Sequence, residues 1–592
     1  MGGAHDPFSR QPTVDAATRR ARLQGSLQVV PGLLAAAIDA ERDAANRAAL
    51  ALWRRDPSLW SAEAETQAKI ASRLGWLNSP ALMVDGIAQV QLFADAVRRD
   101  GFTHVVLLGM GGSSLAPEVL RAVLGVTPGW PQLIVLDSTD PAAVLAASTP
   151  PETTLYLLAS KSGTTIEPNA LAAHFRARVE ASVTGWAEHF VAITDENTDL
   201  ARRARLEHFR HVFINPSDIG GRYSAISYFG LVPAALMGQD VRALVDWSLA
   251  MLAAAEPEGS TFSTNPAAAL GLVIGAAARA GRDKLTLVVP PELESFGLWV
   301  EQLIAESTGK LGTGVVPITG EPLTAAATHG RDRFFVRVTL PRSAPDEAND
   351  AAIRRLKAAG APIADIEMVG TFALGAEFLR WEIATAIAGA LLRVNPFDEP
   401  NVQQAKDATR RLLNEYQASA RLPFPAPTGR LPSGATLALT EAARRELRGQ
   451  DAAAILTLLR PSDYFALLAY VGPDQAIADT LRTFRDQVRD RTAVATTLGY
   501  GPRYLHSTGQ LHKGGPNTGL FVLLTAGAVE DVPIPGQPFS FGTLEFAQAL
   551  GDFASLDAAG RRAIHVHLPR QEPESVRDVA SALLAWLPQQ AG

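Results

Sequence analysis

Short apolar runs alternate with stretches of helical periodicity along most of this chain. After an N-terminal stretch of helical pattern, five such runs follow one another: HVVLLG, QLIVLD, LYLLAS, HFVAIT and HVFINP. The alternation resumes after about residue 260 with KLTLVVP, GVVPI, RFFVRVTL and IADIEMV. Because this alternation is typical of parallel strands joined by crossover helices, it predicts two α/β domains, each with a doubly wound parallel sheet.

A smaller α/β unit is predicted after a linker. The helical pattern of FALGAEFLRWEIATAIAGALLRV leads through NPFDEPNVQQAKDATRRLL into ARLPFPAPTGRLPSGA, whose Pro and Gly content predicts a linker. Beyond it, DYFALLAYV, AVATTLG, GLFVLLT and AIHVHL predict further strands. We therefore predict a helical segment at 1–80, α/β domains at 81–255 and 256–418, a linker at 419–434 and a C-terminal α/β domain at 435–592.

The composition excludes several classes of protein. The chain of 592 residues is 47% hydrophobic and 19% charged, which indicates a globular protein. Its formal net charge of -7 gives no support to nucleic-acid binding, and the absence of cysteine excludes disulfides, thiolate nucleophiles and Cys-ligated zinc. No apolar run is long enough for a membrane span, and MGGAHDPFSRQ lacks the apolar core of a signal peptide. We expect a soluble, cytoplasmic protein that binds neither nucleic acid nor membrane.

The few lysines are informative. The sequence has 7 lysines among its 54 cationic residues, so the remaining 47 are arginines. A lysine in such a chain indicates a position that needs a compact ammonium rather than a planar guanidinium, although chance placement remains the alternative for any single one. Lys161, Lys310, Lys406 and Lys513 fall in polar or Gly-rich junctions between predicted elements.

The stretch SKSGTT joins a predicted buried strand to a predicted helix. Its hydroxyls, its free backbone N–H groups and Lys161 are suited to holding an anion at the start of that helix. The alternative is an ordinary turn with a Thr N-cap and a surface lysine.

A second strand-to-helix turn, GMGGSS, nearly matches the dinucleotide-binding fingerprint. Asp137 at the end of the next predicted strand stands where a ribose-binding acid would lie, but the third glycine of the fingerprint is replaced by Ser114. Two polar turns in one domain favour a small polyhydroxylated phosphate, with one turn on the phosphate and the other on the hydroxyls.

Charged residues follow in three further segments. In GGRYS, two glycines precede Arg222, so that backbone can approach a ligand closely, although a structural salt bridge is an equal alternative. In EQLIAESTGK, Gln302 and Glu306 are four residues apart on one helix face, and the negative end of the helix dipole is expected to raise the pKa of Glu306. A solvated helix-end glutamate is the alternative. Lys406 lies about two turns into the helix predicted to begin at Pro400.

The Gly-rich segment GYGPRYLHSTGQLHKGGPNTG holds His506 and His512, which favours a ligand site over a core. Neither this pair of histidines nor the pair His208 and His211 has the spacing and partners of a zinc site, so no metal is expected.

Together these motifs resemble the phosphoglucose isomerase family, whose members have two sugar-isomerase (SIS) domains. The resemblance covers about residues 80 to 415 in order. It implies that Gly112 and Ser113 contact the substrate and that four residues bind its phosphate: Ser160, Lys161, Ser162 and Thr165. It also implies four further site residues. Arg222 stabilises an enediolate, Glu306 is the proton-transferring base, Lys406 is the active-site lysine, and Gln302 contacts the substrate. Glu399 stands where the family usually has Gln.

The ring-opening histidine departs from the family pattern. The family carries it in an HSxxQL segment between the catalytic Glu and the Lys, whereas here HSTGQL begins at His506, after Lys406. His329 is closer to the expected position, but its surroundings, THGRDRF, do not match. We favour His506. This order resembles the isomerase part of bifunctional transaldolase/phosphoglucose isomerases, although about 80 N-terminal residues are too few for a transaldolase barrel, so no transaldolase activity is expected.

The resemblance implies an aldose-ketose isomerase that interconverts glucose 6-phosphate and fructose 6-phosphate through a cis-enediol in glycolysis and gluconeogenesis. It implies no cofactor and a homodimer. Two alternatives stay open: a non-catalytic sugar-phosphate-binding SIS-domain regulator and a dinucleotide-dependent enzyme. Epimerisation to mannose 6-phosphate is a conceivable side activity.

Overall fold

The computed structural model describes residues 14–258, 264–323, 329–341 and 346–588. The segment on which the signal-peptide expectation rests lies outside these ranges. Within them, no helix is both long and apolar enough to cross a bilayer.

The N-terminal segment is mainly helical but also supplies a strand. Its elements are α1 (Ala16–Gln24), β1 (Leu27–Val30), α2 (Ala35–Trp53), α3 (Ala64–Ala71) and α4 (Ser79–Arg99). The strand β1 adds to the edge of a sheet formed by residues more than 250 positions later, with Leu27 opposite Ile366. The sequence analysis did not predict it, because a four-residue strand has no periodicity of its own.

The first sheet has five parallel strands in the order β3-β2-β4-β5-β6. Its strands and connecting helices are β2 (His104–Leu108), α5 (Leu115–Leu124), β3 (Gln132–Leu136), α6 (Pro141–Ala146), β4 (Thr154–Ala159), α7 (Ile166–Ser182), β5 (Phe190–Asp195), α8 (Asp199–Leu206) and β6 (His211–Asn215), followed by α9 (Tyr228–Leu236) and α10 (Val241–Ala254). The chain leaves β2 for β3 on one side and then crosses to β4 on the other. The crevice between β2 and β4 is therefore the switch point where open α/β sheets bind ligands.

The second sheet has the order β1-β10-β9-β7-β8, and all neighbours are parallel except β1 with β10. Its elements are α11 (Pro266–Arg279), β7 (Lys284–Val288), α12 (Glu294–Thr308), β8 (Val316–Ile318), β9 (Arg333–Thr339), α13 (Glu347–Ala358), β10 (Ile363–Glu367), α14 (Leu374–Leu392) and α15 (Pro400–Ser419). Almost every residue of α14 is buried, since this helix packs on α2, α10, α11 and α12.

The third sheet has the order β11-β12-β16-β15-β13-β14. Its elements are β11 (Gly429–Arg430), β12 (Thr436–Leu439), α16 (Glu441–Leu447), β13 (Tyr464–Tyr470), α17 (Gln475–Thr492), β14 (Ala495–Tyr500), α18 (Gly509–Gly514), β15 (Gly519–Ala526), α19 (Phe541–Ala558), β16 (Arg562–Leu568) and α20 (Pro573–Leu584). Strands β13 to β16 are parallel, and β11 and β12 add an antiparallel edge that the sequence did not predict.

The predicted fold class of parallel-sheet α/β domains is confirmed. All thirteen apolar runs named from the sequence form strands. The third sheet is not a separate lobe, because α19 packs its Phe541 and Leu544 into the core around α7 of the first sheet. The third sheet also contacts the second, where Val316 and Ile318 of β8 join the apolar cluster around Tyr504.

Candidate active site

A cavity of about 570 Å³ opens at the switch point of the first sheet, between that sheet and the end of α12. All eleven residues proposed from the sequence line it: Gly112, Ser113, Ser160, Lys161, Ser162, Thr165, Arg222, Gln302, Glu306, Lys406 and His506. The structure thus brings together segments that span almost 400 residues of chain.

The turn after β4 forms one wall of the cavity. Gly163 has a φ of +69°, and a Cβ there would lie 2.8 Å from the Cβ of Leu200, so the turn requires glycine. The backbone N–H of Gly163 donates to Ser160 Oγ at 3.1 Å, and this hydrogen bond stabilises the backbone conformation of the turn. Thr165 precedes α7 but does not cap it with its side chain. The start of α7, with the hydroxyls and Lys161 beside it, is suited to binding an anion.

Lys161 lies on this wall, paired with a carboxylate that the sequence analysis missed. Its ammonium forms an ion pair with Asp195 at the carboxyl end of β5 and donates to the carbonyl of Ser217 at 2.8 Å. Burial lowers the pKa of Lys161 and raises that of Asp195, against the attraction between the two charges. The ammonium is thus held in position at the mouth of the turn.

The glycine turn after β2 allows three segments to meet. Gly111 has a φ of +55°, and a Cβ there would lie 2.9 Å from Gln302 Nε2. A Cβ on Gly112 would lie 2.0 Å from the carbonyl oxygen of Gly221. Side chains at these two positions would push apart the walls of the cavity, so both glycines are required by close approach rather than by flexibility.

Asp137 does not take the role of a ribose-binding acid. It is buried and accepts two hydrogen bonds from Arg503, at 2.8 and 2.6 Å, and one from Ser114 at 3.1 Å. It does not line the cavity. The geometry therefore gives the dinucleotide alternative no support.

Arg222 is buried at the floor of the cavity and joins two carboxylates. Its Nη1 lies 3.2 Å from Glu306 and 3.1 Å from Glu399, and its Nε donates to Ser307 at 2.8 Å. Its Nη2 donates to the carbonyls of Pro396 and Asp398 at 2.7 and 2.9 Å. These contacts fix the plane of the guanidinium, and Nη1 is shared by two carboxylates that also line the cavity.

Glu306 is in the last turn of α12, as the sequence predicted. Gln302, one turn earlier, donates to it at 3.2 Å and to the carbonyl of His506 at 2.7 Å. Burial raises the pKa of Glu306, and although Arg222 opposes the shift, the negative charge of Glu399 adds to it. A carboxylate with a raised pKa is a stronger base, which suits proton transfer.

His506 is brought into the cavity by the third sheet. Its Nε2 lies 2.9 Å from Glu167, a buried carboxylate that also accepts from Gln548 of α19 at 2.7 Å. Burial opposes ionisation of Glu167, but the attraction and hydrogen bond of His506, a backbone hydrogen bond and the charge of Lys406 together lower the pKa of that carboxyl. His329 does not line the cavity and instead lies beside Glu321, where burial lowers its pKa to about 4.

The four lysines singled out from the sequence have different roles. Lys161 and Lys406 line the cavity, with Lys406 exposed at its rim on α15. Lys310 is buried and holds the segment before α15, donating to Asn395 and Asp398. Lys513 is buried against Asp552. The scarcity of lysine therefore marked buried structural positions as well as the cavity.

Sequence reasoning missed the partners of the proposed residues, although two of these partners, Asp195 and Glu399, also line the cavity. Asp195 carried a signal, since it ends a strand of the same sheet and lies at its carboxyl edge. Glu167 carried a weaker one, as the acidic residue in the first turn of α7. The contact of Glu399 with Arg222 and the role of Gln548 depend on packing across 177 and 381 residues, and no local pattern encodes them.

Comparison with known proteins agrees with this geometry. Residues 94–315 match the family model for phosphoglucose isomerase. A glucose-6-phosphate isomerase of Rubrobacter xylanophilus is 29% identical over 53% of this chain and 84% of its own. A probable glucose-6-phosphate isomerase of Natronomonas pharaonis is 31% identical over 52% of this chain and 78% of its own.

One solved structure supports the fold. A hypothetical protein of Thermus thermophilus has a TM-score of 0.55 and 24% identity, and the match covers 65% of this chain and 99% of that protein.

Lys406 and His506 lie beyond the stretch matched by the family model. The family model and the extent of the identity to isomerases of two organisms show that this chain belongs to the phosphoglucose isomerase family.

Proposed function

We propose that this protein interconverts glucose 6-phosphate and fructose 6-phosphate by proton transfer through a cis-enediolate. The observation that carries the proposal is the position of Glu306, a buried carboxylate with a raised pKa in contact with Arg222 and Gln302. It shares one cavity with the anion-binding turn at Ser160 to Thr165. A base, a cationic stabiliser of developing negative charge and a phosphate site are what an aldose-ketose isomerase needs.

In this proposal the phosphate binds at the turn after β4. It is held by the ammonium of Lys161 and by the hydroxyls of Ser160, Ser162 and Thr165, at the positive end of the α7 dipole. The glycine turn, through Gly112 and Ser113, contacts the sugar hydroxyls. Binding energy at the phosphate then positions the reacting carbons against Glu306.

Ring opening comes first. His506, oriented by Glu167, moves a proton between the ring oxygen and the anomeric hydroxyl, and Lys406 assists from the rim. Glu306 then removes the proton from the carbon next to the carbonyl, and Arg222 stabilises the enediolate oxygen. The hydroxyl proton passes from one oxygen of the enediolate to the other, and Glu306 returns its proton to the neighbouring carbon.

The experiment that tests the function is proton NMR of the purified protein with fructose 6-phosphate in deuterated buffer. We expect glucose 6-phosphate that carries solvent deuterium at C2, because the proton on Glu306 exchanges before it is returned. Protein that is folded but gives neither product nor exchange would favour the non-catalytic sugar-phosphate regulator. A requirement for added nicotinamide cofactor would favour the dinucleotide alternative.

The pH profile should respond to Glu399. The base must be ionised to act, so the acid limb of kcat/KM reports the pKa of Glu306 in the free protein. The negative charge of Glu399 helps to raise the pKa of Glu306. We therefore expect Glu399→Gln to lower that pKa and to move the acid limb to lower pH. Kinetics across the acid range measure the shift.

The control for this prediction is Glu196→Gln. Glu196 lines the same cavity but pairs with Arg205 at 2.9 Å, so its removal should leave the acid limb in place. An equal shift in both variants would mean that total cavity charge, rather than the shared contact with Arg222, sets the pKa.

His506→Ala should separate ring opening from proton transfer. We expect turnover of cyclic fructose 6-phosphate to fall by about 10²-fold or more, the usual contribution of a general acid-base group. Erythrose 4-phosphate cannot close a ring through its esterified C4 hydroxyl, so any turnover of it should change little. His329→Ala should leave both activities intact, and equal losses on both substrates in His506→Ala would argue against ring opening by this residue.

Four further expectations stay predictions: a homodimer, a cytoplasmic location, the division into domains at 80, 255, 418 and 434, and the relation to bifunctional transaldolase/phosphoglucose isomerases. Light scattering of the purified protein tests the first, and limited proteolysis tests the domain division.

A further inference from the structure

A second cavity, of about 560 Å³, opens at the carboxyl edge of the third sheet. Tyr470, Thr525 and His567, at or next to the ends of β13, β15 and β16, form its base. The chain leaves β13 for β14 on one side and then crosses to β15 on the other. The cavity is therefore at the switch point of the third sheet, the position that corresponds to the candidate active site in the first sheet.

A buried carboxyl group without a partner lines this cavity. Glu545, on α19, is 8% exposed, and one of its oxygens is fully buried without a hydrogen bond in the described part of the chain. It also forms no ion pair with any described residue. Burial raises the pKa of Glu545 well above its usual range, and the carboxylates of Asp140 and Asp531 add to the shift. Burial of a polar group without a partner is costly, and a hydrogen-bond donor in the cavity would offset part of that cost at the other, accessible oxygen of Glu545.

The other walls are aromatic. Between ring centroids, Phe424 from the linker lies 4.8 Å from Phe546 and 5.2 Å from His567. Tyr416 and Tyr470 complete the apolar lining. Phe424 is 53% exposed although it is a large apolar residue, so its ring covers the cavity without being part of a core. Aromatic faces carry negative potential and attract cations.

Besides Glu545, two charged side chains are among the described lining residues, Asp531 and Arg421. Asp531 lines it and accepts backbone hydrogen bonds from Val532 and Gly542, both at 2.8 Å, which hold the carboxylate in place. Burial lowers the pKa of His567, so that side chain is neutral at neutral pH. Arg421 is the one permanent cation among the described lining residues, and it belongs to the exposed linker. Glu545 therefore lies at the buried end of the cavity, and the exposed side chains of Asp531, Arg421 and Phe424 lie at its mouth.

We propose that this cavity is a second ligand site and that it binds a small organic ammonium with an apolar or aromatic body. The ammonium donates to Glu545 at the inner end, and the body packs against Phe424, Phe546 and Tyr470. The ammonium enters charged, so Glu545 loses its proton to solvent when the pair forms, and no other chemical step is involved. The site is separate from the isomerase cavity, with which it shares no lining residue.

The test is isothermal titration calorimetry of the full chain with benzylammonium chloride and, as its uncharged analogue, benzyl alcohol. We expect one benzylammonium to bind at least ~10-fold more tightly than the alcohol, the difference that one charge-assisted hydrogen bond supports. Titration in PIPES and in ACES, which differ in ionisation enthalpy, should show release of about one proton per benzylammonium bound. Saturating fructose 6-phosphate should not compete.

Variants separate this site from general charge attraction. Glu545→Gln should lower the affinity for benzylammonium by at least ~10-fold, abolish proton release and leave benzyl alcohol unaffected. Glu530→Gln removes a neighbouring carboxylate that does not line the cavity and should change nothing. Phe424→Ala, at an exposed position where folding is not at risk, should weaken both ligands.

Equal affinity for the ammonium and the alcohol would overturn the proposal, as would unchanged binding and proton release in Glu545→Gln. Competition by fructose 6-phosphate would do the same, because it would assign the binding to the first cavity. If Glu545→Gln does not fold, the comparison of the two ligands and the Phe424→Ala variant decide the outcome.

Discussion

Glu306→Gln is expected to lower turnover by about 10²–10⁴-fold, the contribution of a positioned general base. The amide has the shape of the carboxyl group but cannot take a proton from carbon. Substrate binding should persist, because the turn at Ser160 to Thr165 is untouched. Steady-state kinetics give kcat and KM, and proton NMR in deuterated buffer should show that deuterium exchange at C2 is lost to the same degree.

The matched control is Glu301, an earlier residue of the same helix. Glu301 is also buried on α12, but it accepts from Thr319 at 3.0 Å and faces a different cavity, where burial raises its pKa to about 7. Glu301→Gln therefore replaces a buried glutamate on the same helix without touching the proposed base, and turnover should change little. Retained turnover in Glu306→Gln, or an equal loss in Glu301→Gln, would remove Glu306 from the role of base.

The second large effect is expected for Arg222→Gln, which should lower both activity and stability. Loss of one preorganised donor to a developing oxyanion costs about 10²–10³-fold in kcat. The same change leaves Glu306 and Glu399 without their shared cation, and breaking a buried ion pair costs about 3–5 kcal/mol of folding free energy. Urea unfolding and steady-state kinetics measure the two losses separately.

A double variant distinguishes these two causes. In Arg222→Gln with Glu399→Gln, one of the two carboxylates that lose their partner is neutralised, so part of the stability should return. The activity should not return, because the donor to the enediolate is still absent. Recovery of activity together with stability would mean that Arg222 acts only by supporting the fold.

The third sheet helps to form the candidate active site. It brings His506 to the cavity from beyond the stretch that matches the family model. It does so through α19, whose Gln548 holds Glu167, and through the packing of α19 on α7. A change that loosens α19 is therefore expected to act on His506 rather than on Glu306.

The sequence by itself determined most of the strands and the main chemical groups of the candidate active site. Thirteen strands were predicted because apolar runs of strand length between helical patterns are a local property of the chain. The two polar turns and Glu306 at the end of its helix were predicted for the same reason, since the residues that define each lie within one short segment. The family resemblance added their roles.

Only the tertiary structure decided which distant groups meet. The strand β1 was missed because its pairing with β10 depends on the edge of a sheet built far along the chain. The pairs Lys161 with Asp195, His506 with Glu167 and Arg222 with Glu399 likewise join segments 34, 339 and 177 residues apart. Periodicity fixes the face on which a side chain lies, but the register and packing of whole elements fix its partner, and with it the charge and proton affinity of the site.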